Sequence, residues 1–221
     1  YRPTLIPGPC MDLFSDSFRD LGNLLPRDGT VHYHGAVMPP QTADRFFAAL
    51  YREIAWKHDQ AVMFGERIVT ARKIAWYADA PFRYTYSGVT RTALPWTDTL
   101  QSLRALVQEH AGETFNACLL NLYHDGSEGM GWHSDAERDL VTNGAIASVS
   151  LGAVRRFAFK HRKSKETVSL ELEHGSLLVM RGDTQRHWLH RLPPTRKVGS
   201  ARVNLTFRQI AVPQAGRTGS R

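Results

Sequence analysis

A chain of 221 residues, 42% hydrophobic and 22% charged, suits one large domain or two small ones and is too apolar for global disorder. No apolar run approaches the ~20 residues a membrane-spanning helix needs, and two cysteines, Cys10 and Cys118, exclude a disulfide scaffold or a four-cysteine zinc site. Twenty-eight Lys and Arg against 21 Asp and Glu leave a net charge of +7, which favours a polyanionic partner, nucleic acid first.

The chain starts at Tyr1 rather than Met, as a truncated chain does. It shows no secretory signal, so an intracellular protein is expected, in bacterial cytoplasm or a eukaryotic nucleus. Residues 1–40 hold Pro3, Pro7, Gly8, Pro9, Pro26, Gly29, Pro39 and Pro40, which predicts a loop-rich extension containing Cys10. Residues 42–57 carry Phe46, Phe47, Leu50, Tyr51 and Ile54 at helical spacing, with Thr42 as N-cap. Residues 62–95 read as short β segments, one alternating through Phe82, Tyr84 and Tyr86 and stopping at Ser87-Gly88. Residues 97–110 place Leu100, Leu103, Leu106 and Val107 on one helical face; Thr97 or Asp98 caps the start and Gly112 the end.

From Thr114 onward, strand-length apolar runs recur: Phe115–Tyr123 with Cys118 as a core residue, Ile146–Leu151, Arg156–Lys160, Val168–Leu172, Ser176–Met180 and Arg202–Ile210. Regular short strands after two helices predict a mainly-β sandwich or jelly roll with helices buttressing one side. No linker divides the chain, so a single domain is expected, with residues 213–221 as a Gly/Arg/Ser-rich mobile tail.

Gly131-Trp132-His133-Ser134-Asp135 is the sharpest local signal. In an extended segment, side chains two apart point to the same side, so His133 and Asp135 converge as metal ligands. A third ligand comes from a distant strand; His190 is the best candidate and His187 competes with it. Two imidazoles and one carboxylate leave three positions open on an octahedral ion, which suits non-haem Fe(II). His-x-Asp also occurs as a surface hydrogen bond, and ten histidines supply decoys. His32-Tyr33-His34 has the same spacing without a third ligand, while His58, His110, His124, His161 and His174 read as surface or capping residues.

Arg202 to Arg208 alternates without a break: Arg202, Asn204, Thr206 and Arg208 on one face, Val203, Leu205 and Phe207 on the other. In isolation this reads as a surface strand with solvated arginines. If the strand is buried, its guanidinium groups need partners, and a bidentate carboxylate is the best match. Asn121 and Tyr123 add a second polar pair at period 2. Together the two strands suit a dicarboxylate.

With these pieces in order, the sequence resembles the AlkB family of Fe(II)/2-oxoglutarate dioxygenases, in particular its double-strand DNA repair branch. The matching text is Phe115-Asn116, Asn121-Leu122-Tyr123, His133-Ser134-Asp135-Ala136-Glu137-Arg138, Ile146-Ala147-Ser148-Val149-Ser150, His174-Gly175-Ser176-Leu177-Leu178, His190-Arg191-Leu192-Pro193 and Arg202 to Arg208. It extends from about Met63 to Ile210. The resemblance implies a double-stranded β-helix, that is a jelly-roll core over 114–210, behind a nucleotide-recognition lid over 62–95. His133, Asp135 and His190 would ligate Fe(2+). Asn121, Tyr123, Arg202, Asn204, Thr206 and Arg208 would line the 2-oxoglutarate site, with Arg202 and Tyr123 at the distal carboxylate and Arg208 near the one that joins the metal.

On the nucleic-acid side, the resemblance assigns Phe64, in Met63-Phe64-Gly65, to a hairpin finger that fills the gap left by a flipped base. Arg72 would lie near the flipping site, and Tyr84, Tyr86 and Ser87 on the lid strand against the damaged base. Glu137 would favour a cationic methylated base; Ala136 departs from the acid usual in the branch. The run Arg155 to Lys165, with six Lys and Arg and no acid, reads alone as a solvated hairpin. The resemblance places DNA-backbone contacts there and at Arg196-Lys197.

The implied reaction is oxidative N-dealkylation of N1-methyladenine and N3-methylcytosine in DNA, double-stranded or also single-stranded, by a monomer off the membrane. 2-Oxoglutarate and dioxygen (O2) are consumed to give succinate and CO2, and the hydroxymethylated base releases formaldehyde. Two rivals stand beside it: a related oxygenase acting on RNA or protein, and a non-enzymatic jelly-roll nucleic-acid binder.

Overall fold

The computed structural model describes residues 22–63, 66–86, 89–137 and 139–211, with backbone alone for 61–63, 66–67, 83–86 and 89–91. Cys10, Phe64, Ser87, Arg138 and the tail 213–221 lie outside the described residues. In chain order the elements are β1 (Thr30–Ala36), α1 (Pro40–Glu53), β2 (Lys57–Met63), β3 (Glu66–Ala78), β4 (Arg83–Tyr86), β5 (Val89–Thr92) and α2 (Asp98–Ala111). They continue with β6 (Ala117–Tyr123), β7 (Met130–His133), β8 (Ile146–Gly152), β9 (Arg155–His161), β10 (Thr167–Leu172) and β11 (Ser176–Arg181). The chain closes with α3 (Thr184–His187), β12 (Trp188–Leu192) and β13 (Arg202–Arg208).

The strands form a seven-stranded sheet, ordered β1-β11-β8-β13-β6-β3-β2, and a four-stranded sheet, β10-β9-β12-β7, with β4-β5 as a separate ribbon. Neighbouring strands run antiparallel. This is the two-sheet jelly roll the strand spacing predicts. No helix among the described residues is long and apolar enough to cross a membrane.

Alternation along β13 sets the centre of the fold. Val203, Leu205 and Phe207 are fully buried on the outer face of the large sheet, under α1 and α2. Each such side chain contributes about 1.5–3 kcal/mol of burial free energy. α2 forms as its sequence predicts: Leu100, Leu103 and Val107 face the sheet, the Thr97 hydroxyl accepts from the Leu100 N–H, and Gly112 ends the helix at φ 64°. That positive φ favours glycine. A second core, including Phe159, Leu172, Met180 and Trp188, fills one end of the space between the sheets.

Three expectations need correction. α1 starts at Pro40 with Pro39 as N-cap, not at Thr42, because proline lacks the N–H that a first turn leaves unpaired anyway and its φ is already helical. Residues 30–36 lie within the predicted loop yet form an edge strand on β11, with Val31 fully buried and a register shift between Tyr33 and Gly35. Residues 66–78 are one long strand rather than short pieces, because β3 continues into the large sheet and pairs with β6.

Part of the basic run is structural. Arg155 is 1% exposed, and its guanidinium donates to the carbonyls of Asp125, Gly126, Glu128 and Pro193. These tie the loop after β6 to the loop after β12. Gly126 permits the approach: a Cβ there would stand 2.3 Å from the Thr195 carbonyl. Arg155→Met leaves those carbonyls unpaired and should cost about 3 kcal/mol, lowering Tm by roughly 6–12 °C. Calorimetry checks this; an unchanged Tm would mean that water replaces the guanidinium.

Candidate metal and dicarboxylate site

β6, β8 and β13 lie side by side, and their inward faces carry one polar stripe. Register places Arg202 opposite Tyr123 on one side and Gly152 on the other; Asn204 opposite Asn121 and Ser150; and Thr206 opposite Leu119 and Ser148. The predicted face of β13 is therefore inward and buried, and the solvated-arginine reading of this strand fails. Both of its edges are paired and the small sheet covers it, so Arg202 is 2% and Arg208 3% exposed.

β7 and β12 pair across the cavity with His190 opposite His133. The extended backbone at 133–135 turns His133 and Asp135 the same way, and β12 supplies His190. The ligand atoms of the three lie within 4.8 Å of one another. Asp135 and His190 are buried, His133 partly so. His133 Nδ1 faces the Gly131 carbonyl at 2.8 Å. Donation to that carbonyl fixes the proton on Nδ1 and leaves the Nε2 lone pair for a metal. Phe157 stacks on the His190 ring at 5.5 Å.

The electrostatics suit a divalent cation. Burial, His133 and Arg208 push His190 down to about 3 against the pull of Asp135, so its imidazole is neutral and able to ligate. Burial works against the Asp135 charge, but Arg208, 2.9 Å away, and the two imidazoles outweigh it and hold the carboxyl below the usual carboxylate range. The Asp135 backbone N–H donates to Gln185 Oε1 at 2.9 Å, which fixes the carboxylate's position from α3.

One cavity is lined by His133, Asp135 and His190 together with Asn121, Tyr123, Arg202, Asn204, Thr206 and Arg208. Every residue expected at the iron and 2-oxoglutarate sites thus meets in one place. Arg202 gives the test of fit for a dicarboxylate. Its Nη2 donates to Ser150 Oγ at 2.9 Å, while its Nε is buried with no hydrogen-bond partner among the described residues. Burial pushes it down to about 10, with Arg155 adding to the effect and Tyr123 opposing it. A buried cation without a carboxylate is costly, and an anion entering the cavity relieves it.

Ser148 and Ser150 were not among the expected site residues. Asn204 Nδ2 donates to Ser148 Oγ at 2.8 Å, so both serines orient cavity side chains. Their alternation in Ile146-Ala147-Ser148-Val149-Ser150 was the available signal.

The remaining expected residues are dispersed. Glu137 stands with Asp135 on a second cavity, of about 390 Å3, bounded by residues 140–146 and α3. Tyr84 and Tyr86 lie on β4, opposite Arg91 and Val89 of β5. Arg196 and Lys197 are exposed after β12, and Lys197 borders a groove of about 530 Å3 with Trp132, Arg156 and Arg191. Arg72 is 8% exposed and turned inward, paired with Asp59 and touching Met130.

His187 lies away from this cavity and clusters with His161 and Asp28. His161 is 3% exposed, not the surface residue its sequence suggests. The Ser164 backbone N–H donates to His161 Nδ1 at 3.0 Å, so the ring proton sits on Nε2, facing Asp28 at 3.2 Å. A nitrogen that carries the ring proton offers no lone pair to a metal. His190 rather than His187 completes the triad.

A jelly roll with a two-histidine, one-carboxylate site beside a buried arginine defines a class of metal-dependent oxygenases. The model of the 2OG-Fe(II) oxygenase superfamily matches residues 29–208. The chain is 43% identical to "DNA oxidative demethylase ALKBH2" of Mus musculus, over 95% of this chain and 90% of that protein. It is 42% identical to the Homo sapiens protein of the same name, over 76% of this chain and 69% of that one. It is 36% identical to "Alpha-ketoglutarate-dependent dioxygenase alkB homolog 3" of Rattus norvegicus, over 80% and 63%. A solved structure, OsALKBH1, shares the fold at 16% identity with a TM-score of 0.50, over 77% of this chain and 91% of that one. The chain belongs to the AlkB family within the 2OG-Fe(II) oxygenase superfamily. Fe(II), 2-oxoglutarate and dioxygen are the metal and cosubstrates that this membership implies.

Proposed function

We propose that this protein is a DNA repair dioxygenase, built as one domain, that demethylates N1-methyladenine and N3-methylcytosine and works where the cell keeps its DNA. The observation that carries the reading is the single cavity in which the metal triad and the dicarboxylate-binding face meet. The identity to DNA oxidative demethylases supports the substrate class.

In this reading His133, Asp135 and His190 hold Fe(II). Arg202 and Tyr123 hold the distal carboxylate of 2-oxoglutarate; Asn121, Asn204 and Thr206 line its path, and Arg208 stands near the carboxylate next to the keto group. When bound, Fe(II) with 2-oxoglutarate and dioxygen supplies the oxidising power to hydroxylate a methyl C–H bond. The chain positions and shields. Arg208 keeps Asp135 ionised, and Phe157 with Met130, Leu192 and Met180 keeps the cavity apolar where no polar ligand is needed. Glu137 favours a cationic base. Both methylated bases carry positive charge and have lost normal pairing, so they leave the stack at low cost.

Tyr84, Tyr86 and Ser87 would face the base from the lid. The exposed cations Arg156, Arg196 and Lys197 would neutralise backbone phosphates without reading sequence.

The test is formaldehyde release from methylated duplex and single-stranded oligonucleotides, with and without 2-oxoglutarate. Release that requires 2-oxoglutarate on methylated DNA is the expected result. Release from methylated RNA or peptide alone would favour the rival oxygenase, and release from nothing the binder. Phe64→Ala should lower duplex turnover by about tenfold or more, since the finger offsets an unstacking cost of a few kcal/mol, and leave single-strand turnover unchanged. Equal loss on both substrates would remove Phe64 from the duplex role.

A further inference from the structure

Three guanidinium groups surround the Tyr123 ring: Arg202 at 5.6 Å, Arg155 at 6.0 Å and Arg72 at 6.0 Å from its centroid. Their commitments differ. Arg155 serves backbone carbonyls and Arg202 lines the dicarboxylate cavity. Arg72 comes from β3, is held by buried Asp59 of β2, touches Met130 of β7, and brings its guanidinium to the Tyr123 ring.

A phenol has one proton and two lone pairs, whereas a guanidinium only donates. None of the three guanidinium groups around Tyr123 can accept the hydroxyl proton, so the hydroxyl must aim it elsewhere. The acceptor that fits is a carboxylate in the cavity that Tyr123 lines.

Resting on the oxygenase reading above, we infer that Arg72, anchored by Asp59, is a positioning residue for the cosubstrate: it orients the Tyr123 hydroxyl toward the distal carboxylate of 2-oxoglutarate. Its role is inward, toward the cosubstrate, and not at the nucleic-acid surface. It also joins the β2–β3 hairpin to the cosubstrate cavity through one chain of contacts, Asp59 to Arg72 by an ion pair and Arg72 to the Tyr123 ring at 6.0 Å from its centroid. A guanidinium suits the position because its planar fork reaches two partners at once, which an ammonium does not.

The experiment measures 2-oxoglutarate affinity calorimetrically on the full chain loaded with Mn(II), which binds without turning over. Removing Arg72 alone strands the buried Asp59, so the variant is the neutral pair Asp59→Asn/Arg72→Gln, compared with Tyr123→Phe and with all three changes together. Each of the first two should weaken binding roughly tenfold, and the triple variant should also be weakened only roughly tenfold, because both act through one hydroxyl. A weakening of about 100-fold in the triple variant, or none in the neutral pair, overturns the inference. In steady state the neutral pair should raise the KM for 2-oxoglutarate with kcat and the KM for DNA unchanged; a raised KM for DNA alone would return Arg72 to the nucleic-acid surface. Failure of the unaltered Mn(II) protein to bind 2-oxoglutarate would instead sink the oxygenase reading itself.

Discussion

Arg202→Met should abolish useful 2-oxoglutarate binding while leaving the protein without cosubstrate at least as stable as before. Both halves come from one fact. The guanidinium is 2% exposed, has one hydroxyl partner among the described residues, and is pushed down to about 10 by burial. Truncating one member of a buried, hydrogen-bonded charge pair costs 2–5 kcal/mol or more in binding, so the Kd should rise by about 100-fold or more. Without ligand the sign reverses: replacing a buried charge by a side chain of similar length and no charge is neutral or favourable by about 1–4 kcal/mol. A thermal scan with and without 2-oxoglutarate reads both. The unliganded Tm should hold or rise, and the shift on adding 2-oxoglutarate should vanish. A preserved ligand-induced shift would show that the dicarboxylate binds elsewhere.

His133→Ala should end turnover without unfolding the chain. His133 is the only partly exposed member of the triad, and its one protein hydrogen bond among the described residues is local, to Gly131. Its removal strands nothing, whereas loss of Asp135 would leave Arg208 buried without its carboxylate. Loss of a residue that merely supports a ligand costs 10–100-fold in metal affinity, so loss of a ligand should cost more than about 100-fold. Metal content after dialysis should fall toward zero, formaldehyde release should stop, and the circular dichroism spectrum should be unchanged. Undiminished turnover would remove His133 from the site.

The pattern of one strand revealed more of this site than any motif. The alternation in β13 separates a core face from a polar face, and burial of Val203, Leu205 and Phe207 then fixes where Arg202 and Arg208 must point. Whether that polar face met solvent or an enclosed cavity depended on what paired with it, and pairing between β13, β6 and β8 is a long-range fact that local sequence does not carry. His-x-Asp gave two ligands because extended backbone repeats every two residues. The choice of His190 over His187 turned on strand pairing, which sets His190 opposite His133 and leaves His187 beside His161 and Asp28, away from the cavity.

Other features were hidden for physical reasons. β1 has a Gly-containing register shift that breaks the period-2 signal. The inward turn of Arg72 requires Asp59, thirteen residues earlier, to face it across a hairpin. Arg155, in the middle of a basic run, looks like its exposed neighbours until its four carbonyl partners from two separate loops are in place.

The central claim is that one cavity holds a divalent metal and a dicarboxylate side by side. An oxygen-free titration tests it most directly: Fe(II) added to the full chain, then 2-oxoglutarate, followed by visible absorption and calorimetry. One metal and one 2-oxoglutarate per chain are predicted, with a visible charge-transfer band that appears only when both are present and is lost in Arg202→Met at the same 2-oxoglutarate concentration. Saturation with both and no band, or a band indifferent to Arg202, would contradict the account.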